Sequence, residues 1–195
     1  MSTLAEPKAL LRRSALNRRR VLDASTRDRL SGRLTAEGLA LARRWRPKIV
    51  SAFYPILDEP HTLALMAALA AEGFATALPI TVSRQAPLTF RRWRPGDPTV
   101  PGEMNIPEPT PRAEVVDPDL LFVPLAAFDR RGHRIGYGAG HYDRTLSLLR
   151  AQKPIHAVGV AYACAEVAAI PDEDHDEILD FILTENELID AKGAR

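Results

Sequence analysis

Three glycines alternate within Arg134–Asp143 (RIGYGAGHYD), and the stretch is bounded by an arginine and an aspartate. Lacking side chains, Gly136, Gly138 and Gly140 can take positive φ and let successive backbone N–H groups converge on an anion. A helix beginning near Tyr142 would point its positive dipole end at the same spot. Asp143 then falls in the first helical turn, where a carboxylate can hold a magnesium ion that bridges phosphate oxygens. Arg134 and Arg144 flank the loop and can neutralise further charge. This predicts a phosphate cradle ending in a metal-binding carboxylate, in an ATP-using enzyme. A Walker A loop does not fit, because no lysine follows the glycines, and a dinucleotide fingerprint fails at His141. The competing reading is a plain Gly-rich turn between strand and helix; Arg134, Tyr142 and Asp143 weigh against it.

The elements around the loop must place it. Leu120–Leu125 (LLFVPL) is apolar throughout and suits a central strand covered on both faces. The order strand, glycine turn, helix puts the turn at the carboxyl end of a sheet, where ligands bind. Upstream, residues 5–20 read as an amphipathic basic helix. Ser25 with Asp28 resembles a capping box that opens a second helix running to about Arg44, and Pro47 breaks the chain. Strands are expected at Ile49–Tyr54, Phe74–Pro79, Pro87–Arg92, His156–Tyr162 and Ile178–Leu183, the last of them closing the sheet. Helices are expected at Thr62–Glu72, closed by Gly73, and from about Tyr142 to Gln152. The Pro- and Gly-dense stretch Arg94–Pro118 reads as one long loop. Strands alternating with helices predict a three-layer α/β domain over residues 1–195 with a mostly parallel central sheet.

Composition narrows the class. With 46% hydrophobic and 26% charged residues the chain has a globular mix, and no apolar run is long enough to span a bilayer. The lone Cys164 excludes an intramolecular disulfide framework and a cysteine zinc site, and the five histidines form no metal-spaced cluster. The stretch after Met1 is polar and basic, so a cytoplasmic protein is expected. The net charge of +1 hides a basic head: residues 1–48 hold half of the 26 Lys and Arg. The last thirty residues are acidic, with Asp172, Glu173, Asp174, Asp176, Glu177 and Asp180 close together. A basic head can serve a polyphosphate or a nucleic acid. Nucleic acid is not expected, because Trp45 alone supplies aromatic surface there. Oligomeric state is not legible.

PLAAFDRRGHRIGYGAGHYDRTL resembles the signature of the 5-formyltetrahydrofolate cyclo-ligase family. KALLR at 8–12, FYPILDEPHT at 53–62, MNIPEP at 104–109 and IPDEDHDEILDFILTE at 170–185 agree in the same order, over nearly the whole chain. The resemblance implies a Rossmann-like α/β fold. It also implies a reaction of 5-formyltetrahydrofolate with ATP and Mg²⁺, giving 5,10-methenyltetrahydrofolate, ADP and phosphate.

Residue by residue, the resemblance assigns Lys8 and Arg12 to ATP, with Ala9, Leu10 and Leu11 between them. The pair is four apart, hence on one helix face. Arg13 and the Arg18–Arg20 run fall outside the motif and read as solvated surface. The ATP cradle is implied at Arg134, Ile135, Gly136, Tyr137, Gly138, Ala139, Gly140, His141 and Tyr142. Catalytic charge is implied at Lys8, Arg12 and Arg144, and metal ligation at Asp143 with Asp180 in support. For the folate it points to Tyr54 and Glu59; one carboxylate can accept the adjacent amino and ring N–H groups of a pterin. Phe53, Tyr54 and Met104 would wall the flat ring, with core packing an equal reading for Phe53. Two positions depart from the family: many relatives carry Lys or Gly where Ala139 stands, and Tyr where His141 stands.

Overall fold

The computed structural model describes residues 4–193. The basic head folds as α1 (Ala5–Arg20) and α2 (Ala24–Trp45), joined by a short elbow. Asp23 caps α2 by accepting from Thr26 N–H at 2.7 Å, so the expected Ser25–Asp28 box does not form. An aspartate at the cap reaches the third helical N–H directly, which settles the start two residues earlier.

After α2 come β1 (Ile49–Ser51), α3 (Leu63–Ala71), β2 (Ala75–Ile80) and β3 (Thr89–Arg92). β1 is shorter than the apolar run predicts. The Phe53 carbonyl turns to accept Thr62 Oγ1 at 2.5 Å, so Phe53 and Tyr54 begin a loop at the strand's carboxyl end. The stretch read as one long loop also contains structure. β4 (Thr99–Pro101) and β5 (Pro107–Pro109) pair as a ribbon around a 3₁₀ turn at Glu103–Asn105, and β6 (Val115–Val116) joins the sheet edge. Prolines mask such pairing locally, although edges tolerate them.

The remaining elements are β7 (Leu120–Pro124), β8 (Ala127–Phe128), β9 (Arg134–Ile135), α4 (His141–Gln152), β10 (His156–Val160), β11 (Phe181–Leu183) and β12 (Leu188–Asp190). Helix α4 starts within a residue of the expected position, but β11 is shorter than the expected Ile178–Leu183. A β8–β9 hairpin intervenes between β7 and the glycines, and β12 follows the strand taken as last.

The eight-stranded sheet runs β12-β11-β10-β7-β1-β2-β3-β6, parallel from β11 to β2 and antiparallel at both edges. In β7, Leu120 and Phe122 join the core under α2 and α3, while Leu121 and Val123 join the core under α4. All four are 0% exposed, and burying each such side chain contributes about 1.5–3 kcal/mol. Helices on both faces make three layers, as the pattern predicts. Among the described residues no helix is long and apolar enough to cross a membrane.

Candidate active site

The glycine loop is tied to the sheet by the hairpin before it. Ala126 N–H donates to Ile135 O at 2.8 Å, and the buried Arg134 then reaches back to the Glu177 carbonyl and to Asp143 Oδ1 at 2.7 Å. Burial pushes the Arg134 guanidinium below its ordinary value while Asp143 opposes the shift; an arginine remains charged regardless. Gly138 and Gly140 take φ of +101° and +67°, conformations in which a Cβ would be strained. Gly140 is the N-cap of α4, and Asp143 lies in the first turn as expected. Its Oδ1 accepts Arg134 and the Glu177 N–H, the latter at 3.2 Å, while Oδ2 takes no hydrogen bond among the described residues.

α1 lies across this loop. Arg12 Nε donates to Gly136 O at 2.7 Å. Leu11 and Ala15 pack on Ala127, Ile135 and Ile170, which docks the helix on the hairpin, whereas Ala9 and Leu10 are exposed. The run read as solvated surface is partly inside: Arg18 Nε donates to Cys164 O at 2.6 Å, and Arg19 is 6% exposed with NH1 on the Tyr137 hydroxyl at 3.0 Å. The sequence held a usable signal here. Positions 8, 12, 15 and 19 share one stripe of a helix, so Arg19 belongs with Lys8 and Arg12.

Lys8 meets the acidic segment, with Nζ 2.6 Å from Asp176 and 3.1 Å from Glu173. Burial works against its charge, but the two carboxylates outweigh it and hold Lys8 above its ordinary value. Ligand atoms of Glu173, His175 and Asp176 gather within 4.8 Å, a cluster already occupied by this ammonium. Asp176 also acts electrostatically on Arg134, more weakly than Asp143 does. Asp180 has other business: it is 5% exposed, takes the Ala157 N–H and Lys192 at 2.8 Å each, and lies 3.6 Å from Arg150. Asp176 and Asp180 line one cavity with Arg150, Glu177 and Lys192, and of the two it is Asp176 that meets Lys8. No local pattern distinguishes these two carboxylates, because only the path of the 172–180 segment does.

Past β1, Glu59 is 4% exposed. Its carboxylate accepts Ile56 N–H at 3.1 Å while its own N–H donates to Ile56 O at 3.0 Å, so the loop clasps itself. Burial pushes the Glu59 carboxyl up; Tyr137, the Ile56 N–H and the charge of Arg19 hold it down. The hydroxyls of Tyr137 and Tyr142 are pushed well above the phenol range by burial and by Glu59, and both stay protonated donors. Tyr54 is half-buried, edge-on to Trp93 at 6.4 Å, and available as a wall. Phe53 is 4% exposed and packs in the core under α3. The side chain of Met104 lies outside the described residues.

Arg144 closes the loop's far side, donating to Ala139 O at 2.7 Å and Arg84 O at 2.9 Å. His141 Nδ1 sits 3.1 Å from Ala86 O. Both side chains therefore brace the loop against the segment before β3, and Ala139 contributes backbone only.

An open parallel sheet with a cation-covered glycine loop at its carboxyl edge defines a Rossmann-like α/β protein with an anion site. A sequence profile of the 5-formyltetrahydrofolate cyclo-ligase family matches residues 5–185. The chain is 33% identical to the 5-formyltetrahydrofolate cyclo-ligase of Mycolicibacterium smegmatis, over 91% of this chain and 93% of that one. It is 33% identical to the Haemophilus influenzae protein of the same name, over 73% and 79%. Its fold matches the solved structure of Aquifex aeolicus 5,10-methenyltetrahydrofolate synthetase with a TM-score of 0.79 at 28% identity, covering 96% and 94% of the two chains. The chain belongs to the 5-formyltetrahydrofolate cyclo-ligase family and is a ligase.

Proposed function

We propose that the chain, as one cytoplasmic domain, cyclises 5-formyltetrahydrofolate to 5,10-methenyltetrahydrofolate, using ATP with Mg²⁺ and releasing ADP and phosphate. The observation that carries the reading is the closure of α1 on the glycine loop. Arg12 is bound to Gly136 O and Lys8 stands four residues away, over a loop that ends in Asp143. Backbone donors, two cations and a helix N-terminus converge there, which is what a polyphosphate requires.

The donor set fits magnesium: hard carboxylate oxygens from Asp143 and Asp176, with no sulfur among them. A bound magnesium ion would supply charge neutralisation on the phosphates. The protein's own part is positioning and electrostatics, not a nucleophile. The formyl oxygen attacks the γ-phosphorus and ADP leaves; N10 adds to the activated carbon, gives up its proton, and phosphate leaves with its C–O bond. Arg12, Lys8 and Arg144 lower the cost of the charge that develops on the phosphoryl oxygens. Glu59 accepts the amino and ring N–H groups of the pterin, and Tyr54 walls the ring. Asp143 Oδ1 fixes Arg134, so loop shape and metal site are set together.

The test is direct. Purified chain with 5-formyltetrahydrofolate and Mg-ATP builds up the ultraviolet absorbance of the methenyl product. No absorbance change at any substrate concentration overturns the proposal.

A further inference from the structure

Arg19 is buried, and its charge acts on the Glu59 carboxylate without a direct ion pair. Among the described residues it forms no ion pair, and its Nε is enclosed with no hydrogen-bond partner. A guanidinium in that setting is costly, whereas a Leu or Met would fill the same space on α1 without the cost. Its charge therefore has a task beyond docking the helix. Among the described residues the one hydrogen bond its side chain makes runs from NH1 to the Tyr137 hydroxyl at 3.0 Å, with the guanidinium 6.0 Å from the ring centroid. Tyr137 belongs to the glycine loop, and its hydroxyl also hydrogen-bonds Glu59.

A phenol has one proton to give and lone pairs to receive with. Here it receives from Arg19 and gives to Glu59. Accepting from a cation polarises the O–H and strengthens the bond that it donates. The groups facing Glu59 are Arg19 from α1, Tyr137 from the loop, Tyr142 from α4 and the Ile56 N–H of its own loop. Arg27 of α2 is engaged elsewhere, with Asp58 at 3.2 Å.

We propose that Arg19 is a positioning residue for the folate: through Tyr137 it fixes the Glu59 carboxylate in the orientation that receives the pterin. This rests on the assignment of Glu59 to the folate made above. It means that a side chain of the phosphate loop, not its backbone, serves the other substrate. The ATP-side helix thus carries two cations for the nucleotide and a third for the folate.

The experiment uses the full chain with Arg19→Met, Arg19→Lys and Tyr137→Phe, measuring KM separately for 5-formyltetrahydrofolate and ATP, together with melting temperature. Arg19→Met is expected to raise the folate KM about ten-fold and to change the ATP KM by less than about two-fold. Its folate KM should also start to rise at a higher pH than that of the wild type. Arg19→Lys restores part of the affinity, and Arg19→Met adds nothing further in a Glu59→Gln background. Equal increases in both KM values, or an undiminished Arg19→Met effect beside Glu59→Gln, overturn the inference. If Arg19→Met does not fold, an unchanged folate KM in Tyr137→Phe overturns it as well. A wild type that turns over the folate while all three variants match it removes the role of Arg19 alone; a wild type that does not removes the reading of the site and the inference with it.

Discussion

On one side of Tyr137, Lys8 sits between Glu173 and Asp176 with side chains 17–27% exposed, and Arg150 pairs with Glu177 at 2.6 Å. On the other, Glu59 is 4% exposed and no cation lies within ion-pair distance of it among the described residues. The first region is an exchangeable set of opposite charges. On the proposed reading a polyphosphate would offer Lys8 what Glu173 and Asp176 already offer, so binding would swap one set of ion pairs for another. Such partly exposed pairs are screened by salt. The second region is a buried acceptor whose desolvation already occurred on folding, so on the proposed reading the folate would meet it preorganised. One half should respond to ionic strength and the other to pH.

The largest expected effect breaks the first half at its metal end. Asp143→Asn should lower kcat/KM by more than about 100-fold and shift the magnesium titration to higher concentration. An unchanged titration removes Asp143 from the metal. Asp176→Asn should shift the same titration, whereas Asp180→Asn should mainly lower the melting temperature, because it weakens a buried network on β10; the reverse result would return the support role to Asp180.

Next comes the buried carboxylate. Glu59→Gln should raise the folate KM about ten-fold or more and leave the ATP KM nearly untouched. Burial raises this carboxyl, so the folded state favours its neutral form. Its contribution to stability is full below the ordinary glutamate value and is lost as pH rises through the raised one. Glu59→Gln should therefore melt above the wild type at about pH 8 and converge with it below about pH 4. The wild-type folate KM should climb as pH falls through the raised value, and the Gln variant should show no such climb. A variant less stable than wild type at the higher pH would contradict a costly buried charge.

Lys8→Met should raise the ATP KM by roughly three- to ten-fold, since an exchangeable charge is worth less than a buried one. The increase should shrink as salt is added, and a salt-independent increase would show that Lys8 is no exchangeable partner. The smallest effect is a control away from both halves. Asp23→Ala removes the α2 cap and should lower the midpoint of urea unfolding with both KM values unchanged.

Much of the frame was legible because it is locally encoded. The β7 run is apolar at every position, α1 and α2 carry helical periodicity, and the glycines mark a turn whatever surrounds it. The β8–β9 hairpin and β12 escaped because two- and three-residue strands carry no periodic signal; their existence depends on partners elsewhere in the chain. The β4–β5 ribbon escaped because its prolines read as turn. In the site, Arg12 and Asp143 fell beside the glycines as expected, since each lies within a few residues of a recognisable motif. Arg19 was misread as surface because a basic run looks alike whether solvated or inserted; only the i+7 spacing from Arg12 marked it. Phe53 was undecided in sequence and proved to be core, because β1 ends before it and Thr62 holds its backbone over α3.

Sequence by itself determined the kind of chemistry: alternating glycines before a helix, an acid in its first turn, and cations four apart on another helix. These are short-range facts of covalent order and helical geometry, and they survive any packing. Tertiary structure alone decided the partners. The 172–180 segment folds back over α1, so Asp176 and not Asp180 meets Lys8, and Tyr137 interacts with Glu59, far from it in the chain. Charge pairing and burial depend on distance in space, which falls off over a few ångströms and has no counterpart in distance along the chain.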